Sequence, residues 1–130
     1  MAKKRKRRSR SKLWSKRQDY TRQDGVVVSM DSSWEVACAL KLDELGIDWI
    51  RDPDMKLEYR NKRLKLKRYI PDFYLPSYDM YVEVKGYWTD AAKWKMRDIC
   101  SRYPGKIKML ESLEEIAQLT TTVLPSTGSL

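Results

Sequence analysis

Ten of the first seventeen residues are Lys or Arg and none is acidic, so this stretch can add nothing to a core. They are Lys3, Lys4, Arg5, Lys6, Arg7, Arg8, Arg10, Lys12, Lys16 and Arg17, with Leu13 and Trp14 as the sizeable apolar residues between them. Self-repulsion and the shortage of apolar surface predict a disordered basic arm over residues 1–24. The net charge of +9 belongs to this arm, because the rest of the chain carries 17 basic and 18 acidic side chains. Folding falls to residues 25–119, with 120–130, small and polar, as a flexible tail. That length suits one domain around one core.

Absence narrows the chemistry. The chain has no histidine and two cysteines, Cys38 and Cys100. Ser-His-Asp triads, Cys-His pairs and His-ligated zinc sites are therefore excluded. Catalysis must rest on carboxylates, lysines, hydroxyls or a hard cation. Both cysteines fall on the apolar faces of predicted helices and are expected to be buried thiols. The basic start lacks the apolar core of a secretory signal, and no apolar run approaches the ~20 residues of a membrane span. A cytoplasmic chain with no membrane partner is the expectation.

Hydrophobic periodicity orders the body. Val26-Val27-Val28 reads as a strand or a clasp. Trp34, Ala37, Cys38, Leu42 and Leu45 recur at helical spacing, with Ser32 as N-cap and Gly46 as stop, predicting a helix over about 33–45. From Ile47 the period changes to two: a short strand at Trp49, then Met55, Leu57 and Tyr59 facing Leu64 and Leu66 across a hairpin tip at Arg60-Asn61-Lys62. Two further strands follow, Asp72–Leu75 and Met80–Lys85. Thr89 caps a second helix over 90–103, with Trp94, Ile99, Cys100 and Tyr103 on one broad face and Trp88 and Trp94 expected in the core. A strand at Ile107–Leu110 and a short helix opened by the capping box Ser112-Leu113-Glu114-Glu115 complete the series. Helix, strands, helix, strand, helix predicts an α/β (α+β) fold, a central mixed β-sheet flanked by helices.

One strand carries chemistry. Alternation sends Met80, Val82 and Val84 to one face and Tyr81, Glu83 and Lys85 to the other. Asp72 follows Pro71 at the start of the preceding strand, close enough for a hairpin to return it beside Glu83. Two converging carboxylates form a hard oxygen site suited to Mg²⁺ or Mn²⁺, and such an ion neutralises a phosphodiester and acidifies its bound water. Lys85 beside it can orient that water. The bland reading is an exposed Glu83–Lys85 pair worth ~0–1 kcal/mol and a turn aspartate after proline. Pro-Asp opening one strand and Glu-x-Lys-Gly ending the next carry weight together.

Pro71-Asp72 followed by Glu83-Val84-Lys85 resembles the core motif of the PD-(D/E)XK nuclease superfamily. The wider strings Tyr69–Pro76 and Val82–Trp88 look like small phage nucleases, with the junction-resolving phage endonuclease I family as the nearest in kind. That resemblance spans about residues 32–110. It implies a restriction-endonuclease-like core, Mg²⁺- or Mn²⁺-dependent hydrolysis of DNA, a homodimer, and catalytic roles for Glu35, Asp72, Glu83 and Lys85, with Glu35, Asp72 and Glu83 on the metal. It also implies action in the cytoplasm of a phage's host, or association with the virion. Glu35 has a second reading, since Ser32-Ser33-Trp34-Glu35 is a capping box whose glutamate bonds back to the helix start. Competing functions are a phage head-assembly or DNA-packaging component and a non-catalytic DNA-binding module of the same fold.

Phosphate contacts are expected from Lys3, Lys4, Arg5, Lys6, Arg7, Arg8 and Arg10, and from the second basic cluster, Lys62, Arg63, Lys65, Lys67 and Arg68. Deleting residues 1–17 is therefore expected to weaken DNA binding and flatten its salt dependence, because released counterions are lost with the contacts. The cooperative thermal transition should remain. An unchanged salt slope removes the arm from the interface.

Overall fold

The computed structural model describes residues 17–121. The arm cations from Lys3 to Arg10 lie outside the described residues. The elements run β1 (Gln18–Thr21), β2 (Val27–Met30), α1 (Ser33–Glu44), β3 (Leu57–Arg60), β4 (Leu66–Tyr69), β5 (Phe73–Leu75), β6 (Met80–Val84), α2 (Asp90–Arg102), β7 (Ile107–Leu110) and α3 (Leu113–Ala117). The fold is mixed α+β, and no described helix is long and apolar enough to cross a membrane.

The strands form three small sheets instead of one. β1 and β2 pair antiparallel, β3 and β4 pair antiparallel, and β5-β6-β7 makes a mixed three-stranded sheet. Within the last, β5–β6 is antiparallel and β6–β7 parallel, the connection passing through α2. Pro71 stands between β4 and β5, where a residue without an N–H cannot carry a ladder onward. The expected strand at Trp49 reduces to one bridge, Ile50 with Tyr74. The segment 18–24, expected at the end of the arm, is strand and turn. Polar composition hid it: β1 has Tyr20 as its one large apolar residue, and that ring packs 6.0 Å from Trp49 while its hydroxyl donates to Asp43.

Helix ends follow their local chemistry. Ser32 caps α1, accepting from the Glu35 N–H at 3.2 Å. Gly46, at φ +71°, ends it, and the Ile47 N–H returns to the Leu42 carbonyl at 2.9 Å. Thr89 caps α2 and Ser112 caps α3 in the same manner.

Each face of the three-stranded sheet is covered. Met80, Val82 and Val84 meet Cys38, Ala39 and Leu42 of α1, together with Ile116 and Leu119. The other face meets Met96 and Ile99 of α2, with Leu57 and Tyr69 of the β3–β4 hairpin. Buried side chains of this size contribute ~1.5–3 kcal/mol each relative to exposure. Several expected core members lie further out. Cys100 is exposed, and Met96 holds the position on α2 that Cys100 was expected to take. Trp88 and Trp94 are half-buried because their indole N–H groups turn outward, to Glu111 and to the Arg60 carbonyl. Leu64 and Leu66 are exposed at a hairpin tip shaped by Asn61, whose side-chain oxygen accepts from the N–H groups of Arg63 and Lys65.

Gly86 lies where α1 crosses the end of β6. A Cβ built there would meet the Trp34 ring at 2.8 Å. Trp34 precedes Glu35, and Gly86 follows Lys85, so this close approach sets the helix start against the strand end. Gly86→Ala is expected to destabilise the fold by about 1–3 kcal/mol through overpacking. A denaturant midpoint equal to wild type would show that the indole yields without strain.

Candidate active site

β5 and β6 are in register with Phe73 opposite Val82, which leaves Asp72 and Glu83 at the open end of the pair. Asp72 Oδ2 accepts from the Val84 N–H at 2.8 Å, fixing the carboxylate across the strand end. Glu83 Oε1 faces the Asp72 N–H at 3.4 Å and accepts from the Tyr69 hydroxyl. Glu83 is only 7% exposed, because α2 and the β3–β4 hairpin cover the face opposite Val82 and Val84.

Glu35 joins them from the first turn of α1 and is likewise buried. Its Oε1 accepts from the Asp31 N–H at 3.0 Å, so it does cap the helix start, one residue earlier than a capping box prescribes. The same oxygen receives Nη1 of Arg51 at 3.0 Å. That nitrogen also lies 3.7 Å from Asp72 Oδ1, and Nη2 reaches Asp31 Oδ2 at 3.0 Å. One guanidinium thus links three acids. Glu83 lies against Asp72, Glu35 is joined to Asp72 through Arg51, and the Glu35 carboxylate also bonds to the helix start.

Lys85, half-buried, lies at the next position along the strand direction, with its ammonium 5.9 Å from the Trp88 ring. Its N–H donates to the Leu110 carbonyl of β7 at 2.9 Å, which fixes the backbone that carries it. A groove of about 510 Å³ opens from Lys85, past Lys95, Thr89 and Tyr59, to Lys62 and Arg63 at the hairpin tip. Lys62, Arg63, Lys65, Lys67 and Arg68 are all exposed on that hairpin, and Lys62 and Arg63 line the groove. Main-chain bonds hold the hairpin to α2: the Arg60 N–H donates to Asp98 at 2.7 Å, and its carbonyl receives the Trp94 indole N–H at 3.0 Å.

Burial sets the electrostatics. Desolvation raises the pKa of Asp72, and the neighbouring Glu83 and Glu35 raise it further against the Val84 N–H and Arg51. Burial also raises Glu83, opposed by the Tyr69 hydroxyl and by Lys85 and Lys95. Glu35 is raised by burial and partly restored by Arg51. Tyr69, buried against the two carboxylates, is pushed up. Lys95 is lowered by burial, with Glu83 pulling the other way.

Arg51, Tyr69 and Lys95 complete the site beyond the motif residues. Arg51 lies in an irregular segment, where periodicity gives no sign of facing. Tyr69 did carry one, as the aromatic residue that ends β4 after Lys67 and Arg68. Lys95 is four residues before buried Ile99, on the flank of the buried helical face; Lys93 and Arg97 fall beside a different surface with Trp88 and Cys100.

Among the described residues, no three His, Cys, Asp or Glu side chains form a group that could hold a metal ion as they stand. The donors themselves are of the kind a hard cation takes: buried carboxylates that repel one another and have drawn in a cation, Arg51. Comparisons of the chain with protein-family models, with curated proteins and with solved structures give no match.

A carboxylate whose pKa is raised takes up a proton more readily folded than unfolded. Its stabilising contribution is complete below the ordinary carboxylate range and is lost as pH rises through the elevated folded value. In metal-free buffer, Asp72→Asn is therefore expected to melt above wild type near about pH 8, with the gap closing toward about pH 4. An Asn variant that melts below wild type at the higher pH would show that Arg51 more than offsets the crowding.

Proposed function

We propose that the protein is a metal-dependent endodeoxyribonuclease of the PD-(D/E)XK kind with a restriction-endonuclease-like core. One observation carries the reading: buried Glu35 and Glu83 flank half-buried Asp72 at the β5–β6 end beside Lys85, and Lys85 lines a groove that ends in the basic hairpin tip. A phosphodiester backbone supplies the polyanion such a groove takes. Asp72 and Glu83, with Glu35, would hold Mg²⁺ or Mn²⁺. The ion would supply charge neutralisation at the phosphate and an acidified water.

The remaining work belongs to the chain. Lys85 extends from the strand that carries Glu83, and its ammonium can orient a nucleophilic water or hold a proton beside the reacting phosphate. Lys95, half-buried on the rings of Tyr69 and Tyr59 at 4.8 and 5.9 Å, adds a second cation along the same wall. Lys62 and Arg63 would grip phosphates further out, where contacts position the backbone without reading bases. Structure-selective cleavage of branched DNA, or site-specific cleavage, is the finer reading, and it rests on the sequence resemblance alone.

One observation favours a second reading. Arg51 already neutralises Glu35 and Asp72, as it would in a DNA-binding module that has no use for a metal. Incubation with linear, supercoiled and four-way DNA, in Mg²⁺ and in excess EDTA, separates the two. Cleavage is expected in Mg²⁺ alone, and Lys85→Ala is expected to slow it by roughly a hundredfold or more while DNA binding persists. Cleavage that survives the chelator, or a Lys85→Ala rate near wild type, favours the binding module.

A further inference from the structure

The backbone beside Arg51 is clamped. Ile50 and Tyr74 exchange N–H···O bonds at 2.9 Å in both directions, so the Arg51 side chain leaves a fixed point next to β5. Its stem is largely buried, 15% exposed. Nη1 serves Glu35 Oε1 at 3.0 Å, Asp72 Oδ1 at 3.7 Å and the Asp72 carbonyl at 3.3 Å. Nη2 serves Asp31 Oδ2 at 3.0 Å, and Asp31 is more than half exposed. The guanidinium therefore has an inner end among the buried acids and an outer end at the surface.

We propose that Arg51 is a resident counter-ion that competes with the divalent cation for Glu35 and Asp72, so that metal loading and the inner position of Arg51 exclude each other. The proposal rests on the metal-binding reading of these acids. A hard cation requires carboxylate oxygens close to itself, at about 2.0–2.1 Å for Mg²⁺. Glu35 Oε1 is committed to the Asp31 N–H and to Nη1, and a second positive centre within a few ångströms of the guanidinium is repelled in this poorly solvated interior. The structure provides somewhere for the arginine to go. A groove of about 590 Å³ is lined by Arg51, Asp31, Pro53, Ile70 and Asp72, and by none of the basic residues of the β3–β4 hairpin. Retreat into it keeps the Asp31 partner while releasing the two inner carboxylates. Arg51 is thus a positioning residue for the metal-free state: it holds the acids together and lowers the apparent affinity for the cation that replaces it.

Mn²⁺ titration by calorimetry without DNA tests this on the full-length chain. Arg51→Met keeps the stem and removes the charge, so Mn²⁺ affinity is expected to rise by about 5–150-fold, the usual span of coupling between linked sites. The gain should vanish in the Arg51→Met, Asp72→Asn double variant. Arg51→Lys, a point charge that cannot bridge three acids, is expected to fall between wild type and Arg51→Met, and it serves if the Met variant fails to fold. Thermal melts give a second readout: without metal the Met variant melts below wild type, and saturating Mn²⁺ raises it by more. Unchanged or weaker Mn²⁺ binding by both variants overturns the proposal and makes Arg51 a scaffold for the ligands. If wild type still cuts DNA in that event, the nuclease reading stands without it. If wild type binds no Mn²⁺ while Arg51→Met does, the competition is supported in its strongest form. If neither binds, both readings fall.

Discussion

The interior of this protein is organised around the need to hold carboxylates where water is scarce. Asp72 and Glu83 come together because β5 and β6 pair in a register that leaves both at one end, and Glu35 is added by the first turn of α1. None would remain there as an isolated charge, since desolvation without compensation costs several kcal/mol. Compensation arrives from the main chain through the Val84, Asp72 and Asp31 N–H groups, from Tyr69, and from Arg51. Removing any one donor leaves an acid less satisfied, which couples α1, the β5–β6 hairpin, β4 and the loop after Ile50. Apolar clusters, one beneath each face of the sheet, surround these groups.

Much of this was legible because it is local. Ser32 and Gly46 bound α1, Thr89 opens α2, and the period-two pattern of Met80–Val84 sorts core from site, all properties of adjacent residues. Long-range facts were hidden. Alternation correctly put Glu83 opposite Val82 and Val84, but it gave no warning that α2 and the hairpin would cover that second face. A single sheet was expected because strand signals carry no information about partners, whereas Pro71 and the short, polar strands leave three. β1 was lost in the arm because four mostly polar residues become a strand only through Val27–Met30 opposite them. Arg51 was invisible for the same reason: its role depends on Glu35 from upstream and Asp72 from downstream.

The glycine after Lys85 shows how a sequence string turns into geometry. A glycine after Glu-x-Lys reads as the end of a strand, yet at Gly86 the requirement is space, because the Trp34 ring occupies the place of a side chain. Trp34 and Glu35 are adjacent on α1, and Lys85 and Gly86 are adjacent at the strand end. One close contact therefore fixes the distance between Glu35 and the residues of β6. The acids and the lysine are brought together by packing as much as by pairing.

Two grooves near the cluster differ in character, one lined by Lys85 and the other by Arg51 and Asp72. Toward the hairpin, the groove wall holds Lys85 and Lys95 and runs to Lys62 and Arg63. Toward the β1–β2 hairpin, the other groove is lined by Val26, Val27, Pro53, Ile70 and Pro71, with Arg17 and Arg51 set against Asp31 and Asp72. A polyanion gains from the first and meets apolar surface and carboxylates in the second. Arg51 lines the second groove and Lys85 the first, so the two cations beside the acids are not duplicates. Lys85 faces the groove that runs to Lys62 and Arg63, and Arg51 pairs with Glu35, Asp72 and Asp31.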